Sequence, residues 1–158
     1  MKSFLNLVGV LLFVIALNAC SRQSVFSEYK SIPIETGWQQ ANKLTFEVNI
    51  EDTITRNNVF VNVRQLDAYP FRNIFLFLTT EYPDGKKIID TLECVLADEK
   101  NKWMGDGAGD LWDNTIPFKG NVKFPLLGKY KFTYEHAMRV DPLPMIIDMG
   151  LTIEKTSK

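Results

Sequence analysis

The chain has 158 residues, of which 46% are hydrophobic and 23% are charged, and its formal net charge is −1. This length suits one domain with a substantial core, and the balanced charge argues against a nucleic-acid binder, which needs a basic excess to neutralise phosphates. Two cysteines and one histidine exclude a disulfide-rich scaffold, a zinc-finger cluster and most multi-histidine metal sites.

The first 19 residues read as a targeting segment. Lys2 supplies their only charge, and a largely apolar run follows over residues 4–17, which is shorter than the roughly 20 residues of a membrane-spanning helix. The run ends in a leucine, and a polar residue, Ala19 and Cys20 follow it, a pattern typical of a bacterial lipoprotein signal. The sequence therefore predicts a signal peptide over residues 1–19 and diacylation of Cys20.

Cleavage before Cys20 leaves a mature chain of 139 residues, and the loss of Lys2 changes its formal charge to −2. Two or more acyl chains anchor a protein stably, because each buried methylene contributes about 0.8 kcal/mol. Residues 21–30 carry two basic residues, one acid and three serines, which predicts a lipidated tether over residues 20–31. Residues 32–158 are then the folded domain. No cofactor is expected apart from the covalent lipid on Cys20.

The folded domain is predicted to consist of β-strands, because apolar and polar residues alternate along it with a period of two. The residues Pro83-Asp84-Gly85 predict a hairpin turn. The predicted strands, in chain order, are residues 44–50, 59–64, 73–82, 86–96, 121–126, 129–139 and 146–155. No convincing long helix accompanies these strands. We therefore expect a single antiparallel β-sandwich of about seven or eight strands, Ig-like or jelly-roll-like.

The longest irregular stretch is residues 98–119, which carries two of the three tryptophans. A long loop in a small domain is often functional. Within it, Asp106, Asp110 and Asp113 accompany three glycines and could wrap a Ca²⁺ ion, which favours carboxylate and carbonyl oxygens. Their order does not match an EF-hand loop, and aspartates that cap local amides explain the same residues more simply. No metal site is therefore predicted.

A complete catalytic set is missing from the predicted core. No serine lies within residues 44–154, and the only histidine, His136, shares a strand face with aromatic residues. We expect His136 to be a partly buried, hydrogen-bonded core residue and Cys94 to be an inert buried thiol. A hydrolase would require acids such as Asp110 and Asp113 to converge in a cleft. The chain is therefore predicted not to be an enzyme.

Large aromatic residues offer two interpretations of the surface. Trp38, Trp103, Trp112 and Tyr69 could form a platform on which sugars stack, although buried core or loop anchors explain them with fewer assumptions. Trp and Arg dominate the energetics of protein interfaces. Trp103, Trp112 and Arg139 are therefore the predicted anchors for a protein partner.

Short motifs in a fixed order add a resemblance to these observations. After Cys20 they are Tyr29-Lys30-Ser31-Ile32-Pro33, Gly37-Trp38, residues 105–114, Gly128-Lys129-Tyr130-Lys131-Phe132, His136-Ala137-Met138-Arg139 and Ile147-Asp148-Met149-Gly150-Leu151-Thr152-Ile153-Glu154. Taken together, they resemble the gliding-motility lipoprotein GldH family of the Bacteroidota, over essentially the whole chain. The resemblance implies an envelope lipoprotein, needed for gliding in species that glide and associated with the motility and type IX secretion apparatus. It implies no catalytic activity and assigns no residue a role.

The leading hypothesis is thus a non-enzymatic, membrane-anchored module that binds an unidentified envelope protein and no nucleic acid. The alternative is a carbohydrate-binding lipoprotein that uses the aromatic residues, with Ca²⁺ assistance from the aspartates of residues 106–113. The residues after Cys20 contain no acidic run of the kind associated with surface display in this phylum. We therefore expect the lipid to lie in the outer membrane, with the domain facing the periplasm.

Overall fold

The computed structural model describes residues 24–156, so the signal peptide and Cys20 lie outside the described residues. The strands of the described part are β1 (Ser24–Ser31), β2 (Leu44–Ile50), β3 (Asn57–Leu66), β4 (Asn73–Glu81), β5 (Lys87–Val95), β6 (Asp106–Ala108), β7 (Leu111–Val122), β8 (Gly128–His136) and β9 (Ile146–Lys155). Within this part, no helix is long and apolar enough to cross a membrane.

The strands form two antiparallel sheets. One sheet has the order β1-β9-β3-β7-β6 and the other has the order β2-β8-β4-β5. If the three-residue β6 is set aside and the other strands are renumbered, the orders become 1-8-3-6 and 2-7-4-5, the strand order of a jelly roll. The predicted β-sandwich is confirmed, and of its two variants the strand order matches the jelly roll.

The core lies between the two sheets because one face of each long strand is apolar. In β4, Ile74, Leu76 and Leu78 point inward and are buried, whereas Phe75 and Phe77 on the outer face are exposed. Full burial of an aliphatic or aromatic side chain contributes about 1.5–3 kcal/mol. β4 lies between β8 and β5, in agreement with the internal position expected from its run of apolar residues.

The structure differs from the predicted tether. The tether was predicted over residues 20–31, but β1 begins at Ser24 and pairs with β9 up to Ser31. β1 is an edge strand that lies mostly exposed or half-buried, so its sequence is polar enough to resemble a linker. β1 packs closely against β9. The ring of Tyr29 covers Gly150, where a Cβ atom would lie 2.9 Å from the ring carbons.

Residues 98–119 were predicted to be one irregular loop, and this prediction is wrong. The stretch contains β6 and most of β7. The two strands form a hairpin with a two-residue turn, in which Gly109 has φ of +63° at the position where type II′ turns favour glycine. The strand predicted over residues 121–126 is likewise wrong, since only its first two residues belong to β7. Alternation failed here because Asn114 is buried in β7 and Pro117 interrupts its sequence.

The connections between strands define two ends of the sandwich. Ser24, which pairs with Glu154 in one sheet, and Ile50, which pairs with Gly128 in the other, line one cleft between the sheets. The first residue of β1 therefore lies at the same end as the last residue of β2. We call this the anchor end; its connections are residues 51–56, 82–86 and 123–127. We call the opposite end the distal end; its connections are residues 32–43, 67–72, 96–105, 109–110 and 137–145. Strands of seven to ten residues separate the ends by about 25–30 Å.

Candidate functional site

Two tryptophans at the distal end share one carboxylate oxygen. The Nε1–H groups of Trp103 and Trp112 donate hydrogen bonds to Oδ1 of Asp67, at 2.9 and 3.1 Å respectively. We call these three residues the tryptophan cluster. Both tryptophans were predicted as partner anchors, and the structure brings them together. Asp67 was missed by the sequence analysis.

Three segments of the chain build the tryptophan cluster. Asp67 follows β3, and its backbone N–H donates to the carbonyl of Asp110 at 2.8 Å, which ties this turn to the β6–β7 hairpin. Trp112 pairs with Gly107 across that hairpin. Trp103 forms an isolated β-bridge with Ala97 in the connection after β5. The cluster therefore depends on the whole distal end rather than on one loop.

Tyr69 supports the cluster from below. It is only 4% exposed, and its hydroxyl donates to the carbonyl of Asn73 at 3.0 Å. Its ring centroid lies 6.4 Å from that of Trp103 and 5.6 Å from that of Phe71. Burial raises the pKa of Tyr69 above its usual range, so the phenol stays protonated and serves as packing.

The tryptophan cluster presents aromatic surface to solvent in a fixed orientation. Trp103 and Trp112 are half-buried, Asp67 is exposed, and the neighbouring Met104 is 63% exposed. Because both indole N–H groups are already bonded to Asp67, a partner would meet ring surfaces and the carboxylate rather than indole donors. Such fixed, amphipathic aromatic groups are suited to protein contacts.

Arg139, the third residue predicted to bind a protein partner, is exposed in the connection after β8. It is at the distal end, but it makes no hydrogen bond or ion pair to the tryptophan cluster among the contacts of residues 24–156. The structure therefore brings together two of the three predicted anchors.

The three aspartates considered for Ca²⁺ do not form one cluster. Asp106 and Asp113 lie opposite each other in the hairpin, whereas Asp110 lies in its turn. Oδ2 of Asp113 accepts a hydrogen bond from Nε of Arg64 at 2.7 Å. In the part of the chain that the structure describes, no group of three or more His, Cys, Asp or Glu residues could hold a metal ion.

Arg64 is the centre of a polar row across the outer face of the larger sheet. Besides Asp113, Arg64 faces Asp148, and 3.8 Å separates Nη1 of Arg64 from Oδ2 of Asp148. The other carboxylate oxygen of Asp148, Oδ1, accepts a hydrogen bond from the hydroxyl of Ser31. The guanidinium carbon lies 4.0 Å from the centroid of the Tyr29 ring. The hydrogen bond to Asp113 raises the pKa of Arg64. The row ties β1, β9, β3 and β7 together, and it places Asp113 in an ion pair with Arg64.

The only histidine is a core residue. His136 is fully buried and its ring packs edge-on against Trp38, with 5.3 Å between centroids. Its Nε2 lies 3.6 Å from Oδ1 of Asp141, too far for a hydrogen bond, and neither ring nitrogen has a hydrogen-bond partner. Burial lowers the pKa of His136, which the charge of Asp141 only partly opposes. The predicted burial is confirmed, whereas the predicted hydrogen bonding is not seen.

Cys94 is a free, fully buried cysteine on the inner face of β5. Burial raises the pKa of its thiol to about 12. A thiol in this state is protonated at neutral pH and is a poor nucleophile. The predicted burial of Cys94 is confirmed.

The sugar-stacking interpretation loses half of its aromatic residues. Trp38 is fully buried, with its Nε1–H bonded to the carbonyl of Asn42, and Tyr69 is nearly so. Neither ring has an exposed face on which a sugar could stack. Of the four aromatic residues, only Trp103 and Trp112 reach the surface.

Comparisons with known proteins agree on one family. A family model described as GldH lipoprotein matches residues 24–153. The chain is 36% identical over 153 residues to the gliding motility lipoprotein GldH of Flavobacterium johnsoniae, covering 92% of this chain and 94% of that protein. It is 32% identical over 163 residues to the gliding motility lipoprotein GldH homolog of Christiangramia forsetii, covering 99% of each.

Similarity to solved structures is more remote. The GH115 4-O-methyl-α-glucuronidase BtGH115A gives a TM-score of 0.43 at 12% identity, over 87% of this chain and 18% of that longer chain. The carbohydrate-binding module CBM28, specific for non-crystalline cellulose, gives a TM-score of 0.38 at 12% identity, over 84% and 75% of the two chains. Neither similarity bears on function at these scores.

Proposed function

The chain belongs to the GldH lipoprotein family, and on this basis we propose that it is a non-enzymatic envelope lipoprotein that binds a protein partner through its distal end. The partner would belong to the gliding-motility or type IX secretion-associated machinery. The observation that carries the proposal is the tryptophan cluster, which lies at the end of the domain opposite the N-terminus of β1. The family consists of membrane-associated lipoproteins, which supports a membrane anchor at the opposite end of the domain.

Lipid on Cys20 would hold the anchor end at the membrane. Ser24 begins β1 at that end, only four residues after Cys20. The distal end would then face away from the bilayer, at about 25–30 Å from the anchor end. The absence of an acidic run directly after Cys20, of the kind associated with surface display, supports a domain in the periplasm rather than on the cell surface.

The arrangement of reactive side chains supports a non-enzymatic role. The serines of residues 24–156 are Ser24, Ser27 and Ser31, which all lie on edge strand β1. His136 is buried on β8 in the other sheet. A serine nucleophile needs a base within hydrogen-bond reach, and no serine in this part of the chain has His136 as a partner.

The tryptophan cluster is suited to binding because it is fixed before a partner arrives. Ordering a flexible side chain on association costs about 0.5–1.5 kcal/mol. Trp103 and Trp112 avoid much of this cost, since Asp67 already fixes the orientation of both indoles. Truncation of a tryptophan at the centre of an interface costs at least about 2 kcal/mol, which corresponds to roughly a 30-fold loss of affinity.

The experiment is a crosslinking pull-down of the full-length lipoprotein from native membranes. We compare wild-type protein with Trp112→Ala and with Phe118→Ala, a control on the same strand that is also half-buried but lies towards the anchor end. We expect Trp112→Ala to lose the partner and Phe118→Ala to retain it, with circular dichroism showing that both variants are folded. Equal recovery of the partner by Trp112→Ala and wild type would remove the distal end from the proposal.

A further inference from the structure

We propose that the anchor end inserts two apolar side chains, Ile54 and Leu127, into the interfacial region of the bilayer. The domain would then contact the membrane surface directly, in addition to being attached to it through the lipid on Cys20. Ile54 is 78% exposed and Leu127 is 61% exposed. They lie in connections 51–56 and 123–127, both at the anchor end. The inference rests on the acylation of Cys20 that forms part of the proposed function.

The two connections lie next to each other and close to the anchor. The pairing of Ile50 with Gly128 joins the end of β2 to the start of β8, so the residues just outside this pair share one rim of the sandwich. Four Cα–Cα steps separate Cys20 from Ser24, which limits their distance to about 15 Å. A lipid on Cys20 therefore keeps this rim within a short distance of the bilayer surface.

The loop that carries Ile54 is ordered by its own polar groups. Oδ1 of Asp52 accepts hydrogen bonds from the backbone N–H groups of Ile54 and Thr55, at 2.7 and 3.1 Å. Arg56 closes the loop by donating from Nη1 to the carbonyl of Asn121 at 2.8 Å. These bonds hold the loop backbone while leaving the Ile54 side chain in water, a position that favours insertion into an apolar phase when one is adjacent.

The charges at this end favour lipid insertion over attraction to headgroups. The three anchor-end connections contain three acids and three bases, namely Glu51, Asp52, Asp84, Arg56, Lys86 and Lys123. A balanced set gives little attraction to anionic lipid, so the contact should depend on apolar burial and not on salt.

The apolar area at this end suits a bilayer better than a protein partner. Two isolated side chains offer far less than the roughly 800 Å² per partner of a stable protein interface. An acyl anchor removes that requirement for a bilayer, because it makes insertion of Ile54 and Leu127 an intramolecular event with a high effective concentration.

The test uses full-length lipidated protein carrying one added cysteine, Ile54→Cys, Leu127→Cys or Met104→Cys. Acylation of Cys20 and burial of Cys94 leave the added thiol as the reactive one. Met104 is the matched control, because it is 63% exposed and lies at the distal end. Each variant is labelled with a nitroxide and reconstituted into phosphatidylcholine vesicles. Paramagnetic resonance then measures label accessibility to oxygen, which concentrates in lipid, and to a water-soluble nickel chelate.

We expect the ratio of oxygen to nickel accessibility to rise several-fold on reconstitution at positions 54 and 127, to stay unchanged at position 104, and to be the same at low and high salt. Equal ratios at positions 54 and 104 in vesicle-bound protein would overturn the inference while leaving the anchor intact. Labels shielded from both reagents would also overturn it, because they would indicate contact between copies of the chain. Failure of all three variants to float with vesicles would overturn the lipid anchor itself, and with it the inference.

Discussion

Trp112 lies over Gly107, its partner across the β6–β7 hairpin, so closely that a Cβ atom at position 107 would be 2.9 Å from Cζ3 of the indole. Any side chain at position 107 would therefore meet the ring. The absence of one lets the ring lie on the hairpin and direct its N–H group to Asp67, 45 residues away in the chain. Gly107 is thus a condition for the tryptophan cluster.

Gly107→Ala should displace Trp112 and break its hydrogen bond to Asp67. We expect the near-ultraviolet circular dichroism of the tryptophans to change and the free energy of unfolding to fall by about 1 kcal/mol, at the low end for overpacking because the hairpin is exposed. Gly120→Ala is the control, because the nearest atom to an added Cβ there is Oδ1 of Asn58 at 3.9 Å. Identical spectra for wild type and Gly107→Ala would show that the glycine is not required.

Asp67→Ala should release both indoles at once. Loss of the shared acceptor leaves two N–H groups without their partner, and we expect urea denaturation to show a loss of about 1–2 kcal/mol, together with a shift in tryptophan fluorescence. Asp67→Asn keeps a carbonyl oxygen and should fall between wild type and alanine. Asp110→Ala, an exposed aspartate in the adjacent turn, should leave both signals unchanged. A fluorescence spectrum of Asp67→Ala equal to that of wild type would contradict the shared hydrogen bonds.

The sequence predicted the regular strands well because burial on one face leaves a period of two. β2 and β9 have the predicted bounds, Leu44–Ile50 and Ile146–Lys155. β1 has the sequence of a tether because an edge strand with one paired neighbour needs few apolar residues. The β6–β7 hairpin was missed because Asn114, which is buried and bonded to Gln65 at 2.8 Å, is polar at a position where a core residue was expected.

Two of the three residues of the tryptophan cluster could be predicted from sequence. Residue type alone pointed to Trp103 and Trp112, since tryptophan is rare and frequent at interfaces. Asp67 carried no such signal, because it lies 36 residues from Trp103 and 45 from Trp112 and no local spacing links them. Only the packing of three connections at the distal end brings these residues into contact.

Stability should depend on pH through His136. Burial holds the pKa of His136 below its ordinary value of 6.5 in the folded protein, so the unfolded chain binds a proton that the folded chain does not. The free energy of unfolding should therefore fall as the pH drops through 6.5 towards the folded-state pKa, by at most about 1.4 kcal/mol per pH unit.

Urea denaturation between pH 7.5 and 5.5 measures this effect, with His136→Gln as the comparison. The variant lacks the titrating group, so its stability should change less over the same range even if it is less stable throughout. Parallel pH profiles for wild type and variant would assign the effect to other groups.

Thiol chemistry should report on both cysteines together. Neither cysteine of the native lipidated protein should react with a thiol reagent at pH 8. The thiol of Cys20 is blocked by acylation, and burial raises the pKa of Cys94 to about 12. Unfolding in guanidinium should release one reactive thiol per chain, and Cys94→Ala should release none. A fast-reacting thiol in native protein would contradict either the acylation or the burial.

The position of the partner is tested most directly by photocrosslinking in living cells. A photoreactive amino acid replaces Met104 at the distal end or, as the control, Ile89 on β5, which is 69% exposed and therefore equally open to contact. We expect an envelope protein to be crosslinked at position 104 and not at position 89. Crosslinking at position 89 with none at position 104 would contradict the account.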